Sequence, residues 1–341
     1  MKRYIYICIT LSALFYNLFA DVDIKSGKLR LVIEDYDGTV FLYRRNNQGD
    51  YISLLDSKRY TVNSGFYVLS GKNVQKLTRS GGMHIKSSET GSGAQLVFTL
   101  KNKYSCTVLF SFFASDEKEN DSVRIDVALE NIGEERRLTG LRVFFDTWLG
   151  ETSGKHFSTA VRDSIDSECF FTDMSRDRWI QSSNGDVSMR LLLWGEGITK
   201  IQTLAIANKD VLGIPVWAPR FVPERKFDSI TSYNNSALSV FWEPKYLQPH
   251  EKTDIRFYIA TDAKQSALPE LQALQSPTGA SADSLLYASP SSGKDPALED
   301  AYIRFLIARV RELEANPDSV DREEILRLNA EIDAVLLRSG R

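Results

Sequence analysis

The 341-residue chain has little cysteine and little histidine, three of each. No CxxC pair and no cysteine cluster is present, which excludes dithiol redox chemistry and a Cys-rich zinc site. His84, His156 and His250 stand at no spacing that would let them share a metal with one another or with a carboxylate. GxSxG, Gly-rich phosphate loops and nucleotide fingerprints are missing as well. The sequence thus implies no metal and no cofactor. Charge of one sign is also lacking: 42 Lys and Arg face 45 Asp and Glu, for a net −3. No basic stripe runs along the chain, so a nucleic-acid partner is excluded. Beyond the N-terminus there is no apolar run of ~18 residues, so no helical membrane span is expected.

The N-terminus reads "MKRYIYICITLSALFYNLFADVD". Lys2 and Arg3 precede an uncharged apolar stretch from Ile5 to Phe19, then Ala20 and two aspartates. That order is a secretory signal over residues 1–20, with cleavage expected after Ala20. The expectation is an exported protein, periplasmic or extracellular. Cys106 and Cys169 remain after cleavage; in an oxidising compartment they can form one disulfide or stay as buried thiols.

Residues 21–262 read as strand after strand. "KLRLVI" and "GTVFLYRR" flank a "DYDG" turn and predict a hairpin. "SVRIDVALEN" alternates, with Val123, Ile125, Val127 and Leu129 on one face against Arg124, Asp126 and Ala128. Similar short runs fill the rest of this span, separated by turns such as "NNQGD", "ETGSG" and "ENIGEE". No helix-period stretch long enough for a crossover interrupts them. A large antiparallel β-sandwich is expected, either supersandwich-like or two small sandwiches. Asp35 and Asp37 in "DYDGT" lack the further carboxylates of a calcium loop and read as a plain turn.

Residues 263–294 are rich in Ser, Ala and Pro and read as a linker. From Asp295 the period changes. Leu298, Tyr302, Phe305 and Val310 recur at helical steps; "ANPDS" interrupts; Ile325, Leu328 and Ile332 resume the stripe. A helical hairpin over 295–341 is expected, with those seven residues as a partner-binding or self-association surface.

Two constellations carry candidate chemistry. "LRVFFDTWLGETSGKHF" ends a strand with Asp146 and places Glu151 and His156 within ten residues. Two carboxylates and an imidazole are the groups needed for acid–base work on a sugar. The competing reading makes Asp146 a turn-capping residue. "GIPVWAPRFVPER" cannot be a central strand, because each proline lacks a donor. Trp217, Arg220 and Phe221 there, with Trp148, are the candidate ligand-binding set, a platform for a sugar or a peptide, against core packing as the alternative.

"GLRVFFDTWLGE…HF" and "ALSVFWEPKYLQPHEKTDIRFYIAT" resemble segments of exported bacterial β-sandwich proteins of uncharacterised chemistry. In that pattern the closing turn reads Pro-Gly-Glu; here Pro249 and Glu251 match and His250 replaces the glycine. The run of strands is similar in architecture to galactose-mutarotase-like supersandwiches. That resemblance implies catalytic His and Glu residues on strands, a set not matched residue by residue here. Taken together, the sequence points first to an exported, non-enzymatic structural or interaction module of the bacterial envelope. In that reading the helical hairpin docks a periplasmic or envelope protein, or another copy. The alternative is a carbohydrate-binding or carbohydrate-active sandwich.

Overall fold

The computed structural model describes residues 21–56, 63–114, 119–195, 197–228 and 235–261. The expected signal segment, the linker and the helical hairpin, with Leu298, Tyr302, Phe305, Val310, Ile325, Leu328 and Ile332, lie outside the described residues.

The described chain is antiparallel β-structure in three sheets. The first is a four-stranded meander of β1 (Val22–Ser26), β2 (Leu29–Ile33), β3 (Val40–Arg45) and β4 (Tyr51–Ser53). The "DYDG" hairpin joins β2 to β3 as the sequence predicts, with Asp37 Oδ1 accepting the Thr39 N–H at 2.8 Å. No separate sign of β1 stands in the sequence, yet it pairs along its whole length with β2.

The second sheet has eight strands. It contains β7 (Met83–Thr90), β8 (Gly93–Leu100), β9 (Tyr104–Ala114), β10 (Asn120–Glu130), β12 (Ser158–Thr159), β14 (Trp179–Ser183), β15 (Ser188–Leu192) and β19 (Lys252–Ala260). Their order is β12-β14-β15-β19-β10-β9-β8-β7. β10 shows why the pattern folds this way. Val123, Ile125, Val127 and Leu129 are all at most 3% exposed, whereas Arg124, Asp126 and Ala128 face outward. A period of two on a pleated strand puts every second side chain into the core.

The third sheet contains β5 (Gly65–Ser70), β6 (Asn73–Lys76), β11 (Arg137–Asp146), β13 (Cys169–Phe171), β16 (Thr203–Asn208), β17 (Ser236–Phe241) and β18 (Lys245–Leu247). Its order is β13-β16-β17-β11-β5-β6, with β18 pairing the start of β11. β11 is buried on both faces. Leu141, Val143 and Phe145 enter the main core, together with Phe257 of β19 and Leu31 of β2. Phe144 enters a second cluster on the opposite face with Tyr67, Phe170, Leu212 and Phe241. The loop that follows β16 supplies the cover there: Trp217 and Phe221 pack against this second cluster. The sheet thus has cores on both sides, which explains why β11 reads as a nearly continuous apolar run.

Of the two states open to the remaining cysteines, the structure takes the thiol. Cys106 and Cys169 are free thiols, not a disulfide. Cys106 sits in the middle of the eight-stranded sheet, between Phe98 and Leu129, while Cys169 sits on the edge strand of the other large sheet. Burial pushes both thiols up to about 12, so neither is a ready nucleophile. Within "KIQTLAIANK" the strand β16 stops at Asn208. The Asn208 side chain accepts the Asp210 N–H at 2.8 Å and caps a single helical turn, α1 (Lys209–Leu212).

Candidate functional site

The carboxyl end of β11 is where polar side chains are drawn under cover. Asp146 is the last residue of that strand and lies opposite Ala237 near the start of β17. Its N–H donates to Ser64 Oγ at 2.9 Å, and its carbonyl accepts the Asp56 N–H at 2.8 Å. Its side chain is 2% exposed. Oδ2 is enclosed and has no hydrogen bond; the nearest cation is Lys209 Nζ, an ionic contact at 3.4 Å.

Lys209 reaches this point because α1 leaves β16 beside β17. Its N–H donates to the Asn235 carbonyl at 2.9 Å. Its ammonium also lies 3.3 Å from Asp56 Oδ2. A second buried pair steadies the approach. Glu168, fully buried, accepts from Arg225 at 2.5 and 2.9 Å, from the Val222 N–H at 3.0 Å and from the Asn208 N–H at 3.3 Å.

Glu151 and His156 both reach Ser236, the residue before Ala237, which lies opposite Asp146. Glu151 opens a 3-10 turn, Glu151–Ser153, and its Oε1 accepts the Ser236 N–H at 2.9 Å. His156 Nδ1 lies 2.8 Å from Ser236 Oγ, with its ring tilted against Phe227 at 4.7 Å between centroids. The residue before Glu151 must be small. A Cβ at Gly150 would run into the carbonyl of His156, so glycine lets the loop fold back on itself.

Burial dominates the electrostatics. It pushes Asp146 up to about 7 despite the opposing pull of Lys209, with Asp56 adding to the rise. Burial likewise pushes Glu151 up to about 7, against the Ser236 N–H, with the Asp146 charge adding to the rise. His156 is lowered by burial, which favours a neutral ring. Burial works against the Lys209 ammonium, but Asp146 and Asp56 outweigh it and hold this amine above its ordinary value. Lys76 extends from edge strand β6 and donates to the Asn63 carbonyl at 2.6 Å; burial pulls it down to about 8. A partly exposed carboxyl that exchanges its proton near neutrality, as Glu151 does, can take and give a proton on a bound hydroxyl, and the enclosed Asp146 charge beside it tunes that exchange. Among the described residues, no three His, Cys, Asp or Glu side chains are placed to share a metal ion.

Sequence proximity alone grouped Asp146, Glu151 and His156, and the fold brings all three to one end of β11 and β17. Asp56, Lys209 and Ser236 were missed. They join through strand register and the α1 turn, and only the "NK" that ends β16 hinted at a cap. The second candidate set is placed differently. Trp217 stacks edge-on against Phe241 at 5.7 Å and Phe221 against Phe170 at 6.0 Å. Both cover the outer cluster of the third sheet, so packing, not an open aromatic platform, accounts for them. Gly140 makes room, because a Cβ there would lie 2.8 Å from the Trp217 ring. Trp148 packs against the main core, and Arg220 is exposed. Arg142 was also missed. It is fully buried, stacks 4.0 Å above the Tyr67 ring, and donates to the carbonyls of Val216 at 2.9 Å and Ile214 at 3.0 Å.

Fold and site together define a three-sheet antiparallel β-sandwich with a carboxylate–lysine cluster at one end of its doubly covered sheet. No family model matches the chain, and no curated protein does. Among solved structures, the chain is similar to a galactose mutarotase-like protein from Lactobacillus casei, with TM-score 0.45 and 10% identity over 71% of this chain and 100% of that one. It is similar to a galactose mutarotase related enzyme from Lactobacillus acidophilus, with TM-score 0.39 and 8% identity over 73% of this chain and 99% of that one. A polysaccharide lyase matches with TM-score 0.41 and 10% identity over 70% of this chain; the chain spans 33% of the lyase. Likeness at this level assigns no residue a role.

Proposed function

We propose that the chain is an exported carbohydrate-active β-sandwich in which Glu151 exchanges protons with a bound sugar and the enclosed Asp146 beside it sets its charge. One observation carries the reading. Two neighbouring carboxyls on separate segments, one fully enclosed and one at the surface of a 3-10 turn, are both held near 7. At neutral pH each is populated as acid and as base, the condition for general acid–base work. Lys209 supplies the positive charge that keeps the ionised form accessible. His156, held neutral, orients Ser236 and through it the Glu151 carboxylate.

The test is a glycan array followed by an anomer-interconversion and glycan-cleavage assay on the sugars retained. Rates should peak near pH 7 and fall on both sides. Asp146→Asn and Glu151→Gln should each lower the rate ~10²-fold or more while sugar binding persists. Absence of any glycan binding would remove the reading.

A second reading is favoured by the way Asp56, Lys209 and Asp146 tie three segments together. In it the cluster is a brace inside a non-enzymatic interaction module, with 295–341 as the docking element. It predicts that Asp146→Asn changes stability and no sugar chemistry.

A further inference from the structure

The outer face of the eight-stranded sheet is polar along β10, where Asp126 bonds both Arg124 at 2.8 Å and Arg256 at 2.5 Å. One corner departs from this. Leu192 and Tyr258, opposite each other on β15 and β19, form a separate apolar cluster outside the main core. Phe113, Trp179 and Ile198 pack around it half-buried, with Phe113 edge-on to Tyr258 at 5.9 Å. Trp194, just past the end of β15, is 42% exposed. Arg190 lies over the Trp179 ring at 4.2 Å and is held by Gln181 at 2.7 Å. The corner is therefore an apolar patch bordered by the Arg124–Asp126–Arg256 ion-pair cluster, with Arg190 buried against Trp179. An apolar patch with a charged rim is the usual form of a docking surface.

The chain itself leaves from this corner. Tyr258 belongs to the patch, and the described residues of β19 run only two further, to Ala260, before Thr261. Eighty residues of this same chain lie beyond Thr261. Its 295–341 segment repeats Leu298, Tyr302, Phe305 and Val310, then Ile325, Leu328 and Ile332, at helical steps, and carries eleven acidic against seven basic residues. That balance complements the net positive charge that Arg124 and Arg256 leave around their shared Asp126. The intervening 33 residues have a coil reach of about 30 Å, and the patch spans only a few strands at ~4.8 Å each. We propose that residues 295–341 fold back and seat their apolar stripe on the Phe113–Trp179–Leu192–Ile198–Tyr258 corner of the same chain. Two short amphipathic helices have too little to bury against each other alone, and this corner supplies the missing surface.

The full chain, carrying a protease site inserted within 263–294, is cleaved after folding and passed over a size-exclusion column. The 295–341 fragment should stay with the sandwich. Ile198→Asp and Trp194→Ala should each weaken retention about tenfold, as loss of one large apolar contact does. Val216→Asp, on the far side of the third sheet, should change nothing. Thermal unfolding of each variant, matched to the parent, shows that the sandwich is intact. A fragment that separates from the unsubstituted sandwich overturns the proposal. So does retention released by Val216→Asp but not by Ile198→Asp, or tails exchanged between two chains in a dimer.

Discussion

Arg142 and Asp146 stand on one face of β11, four residues apart, and both are buried. Their surroundings differ. Arg142 gives two hydrogen bonds to carbonyls of the covering loop and spreads its plane over Tyr67, leaving only its Nε without a hydrogen bond. Asp146 keeps an oxygen without a hydrogen bond and leans on a single lysine at 3.4 Å. An arginine held in this way can remain charged inside the protein, and burial lowers it only to about 10. A carboxylate held as Asp146 is cannot remain fully ionised, and its proton becomes exchangeable near neutrality. One buried charge fastens a loop, and the other is kept ready to change charge.

The comparison can be broken at either residue. Arg142→Met removes the anchor of the 214–216 backbone and leaves two carbonyls unpaired. It should cost on the order of 3 kcal/mol in urea unfolding, with little dependence on pH between 5 and 8. Asp146→Asn should behave in the opposite way. The native carboxyl titrates near 7 and the unfolded one near its ordinary 3.8. Its stabilising contribution is therefore complete below about pH 4 and is lost as pH rises through 7. The unsubstituted protein should lose on the order of 4 kcal/mol more than Asp146→Asn between pH 4 and pH 8, read from unfolding midpoints. Equal pH slopes in the two proteins would mean that Asp146 is an ordinary ion pair.

Smaller effects sharpen the picture at two turns. Gly150→Ala drives a methyl into the His156 backbone and should cost ~2 kcal/mol while displacing Glu151 and His156 together. Chemical-shift changes confined to residues near Ser236 would check this. His250 sits at φ 62, a left-handed conformation that suits glycine. His250→Gly should stabilise the closing hairpin by ~0.5–1 kcal/mol, measured by thermal unfolding. The resemblance that places glycine at this turn therefore has a backbone reason.

The strands were legible where one face meets water, because alternation marks them, as in β10. They were less legible in the third sheet. β11 and β17 carry apolar residues on both faces, and β13 is too short to show a period. Arg142 escaped notice because an arginine on a strand ordinarily points outward, and only the loop folded across it makes it interior. Of the candidate site, the part within one loop could be read: Asp146, Glu151 and His156 lie within eleven residues of sequence. The part that gives the cluster its chemistry could not. Lys209 is 63 residues beyond Asp146, Asp56 lies 90 before it, and only the pairing of β11 with β17 and the cap at Asn208 bring them together.

The central claim is that Asp146 and Glu151 hold their protons near neutral pH. Side-chain carboxyl carbons can be followed by NMR from pH 3 to pH 9, with Asp146→Asn and Glu151→Gln assigning the two resonances. The account predicts two titrations with midpoints near 7, well separated from the bulk of the carboxyls. Midpoints below 5 for both residues would contradict it and leave the cluster as a structural ion pair.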